Sequence, residues 1–185
     1  MDVLIDFDDS FTYNLKQYLC IIGLQPVVVN WREFCSIDLS EVKSMTLGPG
    51  PGHPKDYLSF SFWLKKAILK RHLKVFGVCL GHQIICNLYD FKLGYMERPI
   101  HGQSKKVKLD SFFKQIFDVS FLNCQFYNSL YVSALGVSSR QKNLYFQEFD
   151  NMVILFQTEN IFSMQFHPES IGSSSTFKGV KKFFL

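Results

Sequence analysis

Residues Lys74–Leu88, with the sequence KVFGVCLGHQIICNL, decide the fold. Lys74-Val75-Phe76-Gly77-Val78 reads as a strand that runs at once into a helix from about Leu80 to Leu88. The junction, Gly77-Val78-Cys79-Leu80-Gly81, is a G-x-C-x-G between strand and helix, the thiol form of a nucleophile elbow. A sharp turn there lifts the Cys79 thiol above the sheet, and a Cβ on either flanking glycine is expected to collide with neighbouring backbone. The helix starts at the nucleophile, so its dipole favours a thiolate, and the Leu80 N–H is free to donate to an oxyanion.

Upstream, strand and helix signals alternate. Val3-Leu4-Ile5 suits a buried strand, and Asp6–Ser10 makes a polar turn with good N-cap residues. Phe11, Leu15, Tyr18, Leu19 and Ile22 follow at helical spacing, closed by Gly23. Pro26–Val29 and Met45–Leu47 read as strands, and residues 57–71 as a helix. Such β-α-β repetition implies an α/β fold with a mostly parallel central sheet and flanking helices. Downstream of about residue 105 the pattern changes to short runs: Lys105–Leu109, Phe117–Phe121, Leu130–Ala134, Asn143–Phe149, Met152–Gln157 and Ile161–Phe166. These predict an antiparallel strand extension in the second half. Ser173-Ser174-Ser175 is placed to cap a last helix ending near Phe184. Without a linker or repeat, the 185 residues read as a single domain, 1–185.

Two further segments carry chemistry. In Gln165-Phe166-His167-Pro168-Glu169-Ser170, His167 and Glu169 stand two apart, so at a strand end they project to one side. An imidazole held by a carboxylate is the general base that a thiol nucleophile uses. His53, His72, His82 and His101 have no carboxylate so placed. The loop Gly48-Pro49-Gly50-Pro51-Gly52-His53-Pro54 carries three prolines, each lacking an N–H, and no Lys-Ser/Thr follows it. It is therefore not a phosphate cradle of the P-loop kind. Beside a cysteine elbow, a stiff loop presenting one or two N–H groups reads as half of an oxyanion hole.

Composition narrows the class. The chain is 47% hydrophobic and 19% charged, which is globular. Its net charge of +4 comes in short clusters: Lys65, Lys66, Lys70, Arg71 and Lys74; Lys105, Lys106 and Lys108; Lys178, Lys181 and Lys182. They read as solvated faces, and no recognised motif points to nucleic acid. No window reads as a membrane span, and the start has no basic leader region, so a cytoplasmic protein with no membrane partner is expected. The five cysteines, Cys20, Cys35, Cys79, Cys86 and Cys124, have no CxxC pair, which argues against disulfides or zinc. Apart from Cys79 they read as small buried hydrophobes. Twenty Phe residues, and 16 Lys against 4 Arg, read as core filling plus compositional drift.

Gly77–Gln83 (GVCLGHQ), Leu47–Pro54 (LGPGPGHP) and Gln165–Ser170 (QFHPES) resemble the three signature segments of the class I glutamine amidotransferases. Ile5–Leu15 (IDFDDSFTYNL) is similar to the start of the branch that supplies the small (component II) subunit of anthranilate synthase and of aminodeoxychorismate synthase. The resemblance implies the flavodoxin-like fold of that family and a glutaminase. It makes Cys79 the nucleophile, His167 the proton carrier and Glu169 its orienting carboxylate. Gly50 and Leu80 supply oxyanion N–H groups. Pro51, Gly52 and Gln83 join the glutamine site, and Ser129 and Leu130 hold the glutamine ends through their backbone. Ammonia then passes to chorismate on a separate large subunit. No cofactor or metal is implied on this chain, and Mg2+ belongs to that partner. The resemblance leaves open anthranilate synthase (tryptophan biosynthesis), aminodeoxychorismate synthase (folate biosynthesis), or service to both. A γ-glutamyl hydrolase and a non-catalytic binding subunit are the competing classes. Departures from the family pattern are Phe7 for Asn, Gly48 for Ser, Gln103 for Lys, Phe126 for Arg and Asn128 for His. Of these, Phe7 and Phe126 are expected to touch the partner surface.

Overall fold

A computed structural model describes residues 1–69, 73–135, 137 and 143–184. In chain order the first half forms β1 (Asp2–Asp6), α1 (Thr12–Ile21), β2 (Val27–Asn30), β3 (Ser44–Leu47), α2 (Leu58–Ile68), β4 (Lys74–Val78) and α3 (Leu80–Leu88). The second half adds β5 (Lys92–Tyr95), β6 (Gln103–Lys108), α4 (Ser111–Phe117), β7 (Phe121–Phe126) and β8 (Leu130–Ser133). β9 (Tyr145–Phe149), β10 (Met152–Gln157), β11 (Ile161–Met164) and α5 (Phe177–Phe184) complete it. The main sheet has the order β2-β1-β3-β4-β11-β10-β9. Its first five strands pair in parallel, and β10 and β9 continue it antiparallel.

The sheet is covered on both sides, as alternation along its strands requires. Leu4, Phe76 and Val78 pack with residues of α1, α4 and α5 on one face. Val3, Ile5, Leu47 and Val75 pack with α2 and α3 on the other. The Phe excess sits here: Phe60, Phe76, Phe113, Phe156 and Phe162 are among the fully buried side chains. Helix α1 ends as its sequence predicts, with Gly23 N–H donating to Cys20 O at 3.0 Å and Leu24 N–H to Leu19 O at 3.0 Å, a Schellman pair. Its start differs. Phe11, not a polar residue, occupies the N-cap, and the carboxylates instead fold the turn before it. Asp6 Oδ1 accepts from Asp8 N–H, Asp9 N–H and the Thr12 hydroxyl, and Asp9 Oδ1 accepts from Phe11 N–H.

The antiparallel half needs two corrections. Phe117–Phe121 is not a strand. Phe117 ends α4, Asp118 turns the chain in the left-handed region at φ 59°, and β7 begins only at Phe121. Asp110 sets up this helix by accepting from Phe113 N–H at 2.9 Å, and Phe113 and Phe117 are then buried four apart on one face. Nor do the strands form one meander. β11 pairs in parallel with β4 in the main sheet, while β5–β8 and β6–β7 form separate two-stranded sheets.

Lys65, Lys66, Lys106, Lys108, Lys178, Lys181 and Lys182 are solvent-exposed. Lys74 is not part of a patch, since its Nζ donates to Phe184 O at 3.2 Å. Lys70, Arg71 and His72 lie outside the described residues. Among the described residues, no helix is long and apolar enough to cross a membrane.

Candidate functional site

The turn between β4 and α3 holds Cys79 at φ 52° and ψ −103°, a conformation sparsely populated by any residue with a Cβ. Tertiary contacts hold it there. Cys79 N–H donates to Met164 O at 3.0 Å, Gln83 N–H to Cys79 O at 3.0 Å, and Gly81 N–H to Gly48 O at 3.2 Å. The turn is wedged against β3 and β11. A Cβ on Gly81 would lie 2.3 Å from Leu47 O, and one on Gly77 would lie 2.5 Å from Ile85 Cδ1 and 2.9 Å from Gly81 C and O. Leu80 opens α3, so its N–H has no acceptor within the helix.

His167 and Glu169 follow β11 in a turn, not on the strand itself. Strand alternation therefore does not pair them. Pro168 and the 170-to-167 turn do, with Ser170 N–H donating to His167 O at 3.2 Å. Glu169 Oε1 lies 2.7 Å from His167 Nδ1. Both side chains are buried, 4% and 0% exposed. Glu169 Oε2 and His167 Nε2 have no hydrogen-bond partner among the described residues. Burial alone would depress the imidazole pKa. The neighbouring Cys79 and the Glu169 carboxylate outweigh it and hold His167 well above the ordinary histidine value. The rings of Tyr127 and Phe11 stand edge-on to the imidazole, with centroids 5.1 and 5.7 Å away.

Cys79 lines a cavity of about 160 Å³ together with Gly50, Pro51, Gly52, Gln83, Tyr127, Asn128, Ser129 and Leu130. The Gly/Pro loop, the 127–130 segment and the thiol thus line one cavity. Gly50 is required where it stands, because a Cβ would lie 2.5 Å from Phe7 Cβ and 2.6 Å from Leu80 Cδ2. The loop is pinned by Tyr57, whose hydroxyl donates to Pro51 O at 2.8 Å, and by Asp56 Oδ2, which accepts from His53 N–H at 2.8 Å. Asn128 fixes the facing segment, its Nδ2 donating to Leu130 O at 2.8 Å.

Three residues near the thiol are ones the sequence motifs left without a role. Gln165 is fully buried, and its Nε2 donates to Cys79 Sγ at 3.7 Å. Tyr127 and Phe11 flank the imidazole. The signal for Gln165 was its amide inside an otherwise apolar run, since a buried amide needs partners. Phe7 and Phe126 are corrected: both are fully buried, so neither touches a partner surface. Phe7 packs edge-on to Tyr57 and Phe60, and Phe126 to Phe166. Cys86 and Cys124 are buried, but Cys20 and Cys35 are exposed. Among the described residues, no group of three or more His, Cys, Asp or Glu is arranged to hold a metal.

Residues 3–185 match the family described as glutamine amidotransferase class-I, and the chain belongs to that family. It is 35% identical over 185 residues to the aminodeoxychorismate/anthranilate synthase component 2 of Bacillus subtilis, covering 94% of this chain and 90% of that protein. It is 32% identical over 187 residues to the aminodeoxychorismate synthase of Streptomyces pristinaespiralis, covering 98% of this chain but 26% of that protein. The chain thus spans about a quarter of the length of some of the curated relatives it matches. A crystal structure of a glutamine amidotransferase from Thermotoga maritima superposes with a TM-score of 0.70 at 14% identity, covering 91% of this chain and 75% of that one. At that identity the likeness concerns the fold alone.

Proposed function

We propose that this chain is the glutaminase subunit of a chorismate-using synthase, with Cys79, His167 and Glu169 as its catalytic residues. The observation that carries this is the strained Cys79 elbow, which lines one small cavity, with the buried His167–Glu169 pair beside that cysteine. His167 Nε2 takes the Cys79 proton, and Sγ attacks the side-chain carbonyl carbon of glutamine. A C–S bond forms, and the carbonyl electron pair moves to oxygen, where the N–H groups of Gly50 and Leu80 receive the charge. The intermediate collapses with cleavage of the C–N bond. His167 returns its proton to the leaving nitrogen, which departs as ammonia and leaves a γ-glutamyl thioester. Water then adds to the thioester, His167 takes its proton, the C–S bond breaks, and glutamate leaves as the thiol is restored. Pro51, Gly52, Gln83, Ser129 and Leu130 hold the amino-acid end of the substrate.

Ammonia is delivered to chorismate on a separate large subunit, which carries the Mg2+. Anthranilate synthase is the first reading and aminodeoxychorismate synthase the second. The Bacillus relative, whose name carries both activities, favours a subunit able to serve either. Relatives about four times longer support the partnership, because there one polypeptide holds this domain and the remainder. Purification of the native chain from its source cell tests the partnership. A chorismate-using enzyme is expected to accompany it. Recovery of the chain alone, with full glutaminase activity, would contradict coupling to a synthase.

A further inference from the structure

The Cys79 sulfur has a polar neighbour that the proposed chemistry has not used. Gln165 follows β11 with its side chain fully buried, and its backbone N–H donates to Ile154 O at 3.0 Å. Its two amide ends face different partners. Oε1 accepts from Gln83 Nε2 at 3.2 Å, and Nε2 donates to Cys79 Sγ at 3.7 Å. Gln83 Nε2 is also 3.5 Å from Leu130 O, which directs its donor end inward. This arrangement fixes the orientation of Gln165. Flipping its amide would set two NH2 groups against each other and a carbonyl oxygen against the sulfur.

We propose that Gln165 is a further catalytic residue, donating a hydrogen bond to the Cys79 thiolate and held in that orientation by Gln83. This rests on the glutaminase reading and deepens it. A thiolate on a side chain as buried as Cys79 has lost most of its water and needs donors in place of it. Gln165 acts twice in the cycle. Before attack it donates to the sulfur as the thiol gives up its proton to His167. In hydrolysis of the thioester, water adds at carbon, the C–S bond breaks, and its electron pair returns to sulfur. The Gln165 N–H then meets the charge as it develops, which favours the transition state over the thioester. Because Gln83 lines the cavity and braces Gln165, a molecule seated there bears on the nucleophile through two amides.

The test is the rate at which iodoacetamide alkylates Cys79 in the purified chain, read by peptide mass spectrometry with exposed Cys20 as internal control. Gln165→Met keeps the volume and removes the donor, and a slowing of about tenfold at neutral pH is expected, as for loss of one hydrogen bond to a charged group. Gln165→Glu sets a carboxylate against the sulfur and slows the reaction further. At strongly alkaline pH, where every thiol is ionised, both variants converge on the wild-type rate. The titrating groups that face Cys79, His167 and its partner Glu169, are unchanged in both. Unchanged alkylation at neutral pH, or an equal deficit at every pH, would overturn the proposal, the latter because it marks general damage to the site. Should both variants fail to fold, Gln83→Met carries the test: loss of the brace slows alkylation, and a wild-type rate would overturn the proposal. Alkylation needs no glutamine. Absence of glutamine turnover in the complex would therefore defeat the glutaminase reading separately, while the alkylation rates still decide what Gln165 does to the thiol.

Discussion

Glu169 Oε1 sits 2.7 Å from His167 Nδ1 within a turn that Ser170 N–H closes on His167 O, with the carboxylate side chain wholly shielded from water. In the proposed mechanism this carboxylate fixes the tautomer that leaves Nε2 free to take the thiol proton and stabilises the imidazolium that forms. Glu169→Gln keeps the shape and loses the charge. Glutamine turnover by the complex is expected to fall by about 10²- to 10⁴-fold in kcat, with KM little changed. Steady-state ammonia release measures this, and a kcat within a factor of two of wild type would remove Glu169 from the mechanism.

The elbow also makes a prediction about stability. The atom nearest to a Cβ built on Gly81 is a backbone carbonyl of β3, Leu47 O at 2.3 Å, which cannot swing away as a side chain can. Gly81→Ala should therefore cost at least about 2 kcal/mol. Urea unfolding of the purified chain gives the number. A loss below about 0.5 kcal/mol would mean that α3 packs less closely on β3 than the structure has it.

A buried histidine beneath the elbow sets an acid limit on stability. His82 lies within 2.9 Å of both Ser163 Oγ and Val153 O, tying α3 to β11 and β10, and burial lowers its pKa to about 4. Between the ordinary histidine value of 6.5 and about 4, the unfolded chain binds a proton that the folded chain does not. Stability therefore falls as pH falls through that window, by about 3 kcal/mol in all. The raised pKa of His167 acts in the other direction and only above the ordinary value, where stability is lost as pH rises. Thermal melts from pH 7 to pH 4 should show the acid loss, and His82→Gln should flatten it. Equal slopes in the two proteins would assign the acid sensitivity to other groups.

The elbow was readable from sequence because G-x-C-x-G between a strand and a helix is a steric requirement written in residue types. Gly77 and Gly81 stand where no Cβ fits. The strand expected at Phe117–Phe121 misled because Phe117, Val119 and Phe121 alternate with polar residues, while Phe117 in fact closes a buried helix face. The deciding signal was Asp110, whose side chain caps the helix three residues before Phe113. The departures at Phe7 and Phe126 suggested a surface, yet both rings are core, since a change of residue type within a motif says nothing about which way the side chain faces. Gln165 was legible only as an amide among apolar neighbours. Its partners, Gln83 and Cys79, lie more than eighty residues away in sequence and meet it only through the pairing of β11 with β4.

Coupling to a large subunit predicts dependence on it. The isolated chain should hydrolyse glutamine slowly, and adding the chorismate-using partner should raise the rate. Titration of the partner against a fixed amount of this chain measures the effect. Full activity in the isolated chain would count against coupling.

The central claim is that the Cys79 thiol opens glutamine, and paired release of glutamate and ammonia by the complex tests it most directly. Wild-type complex should release the two products in equal amounts. Cys79→Ser, with its fold and partner binding verified, should release neither above background. Undiminished release by the Cys79→Ser complex would contradict the account.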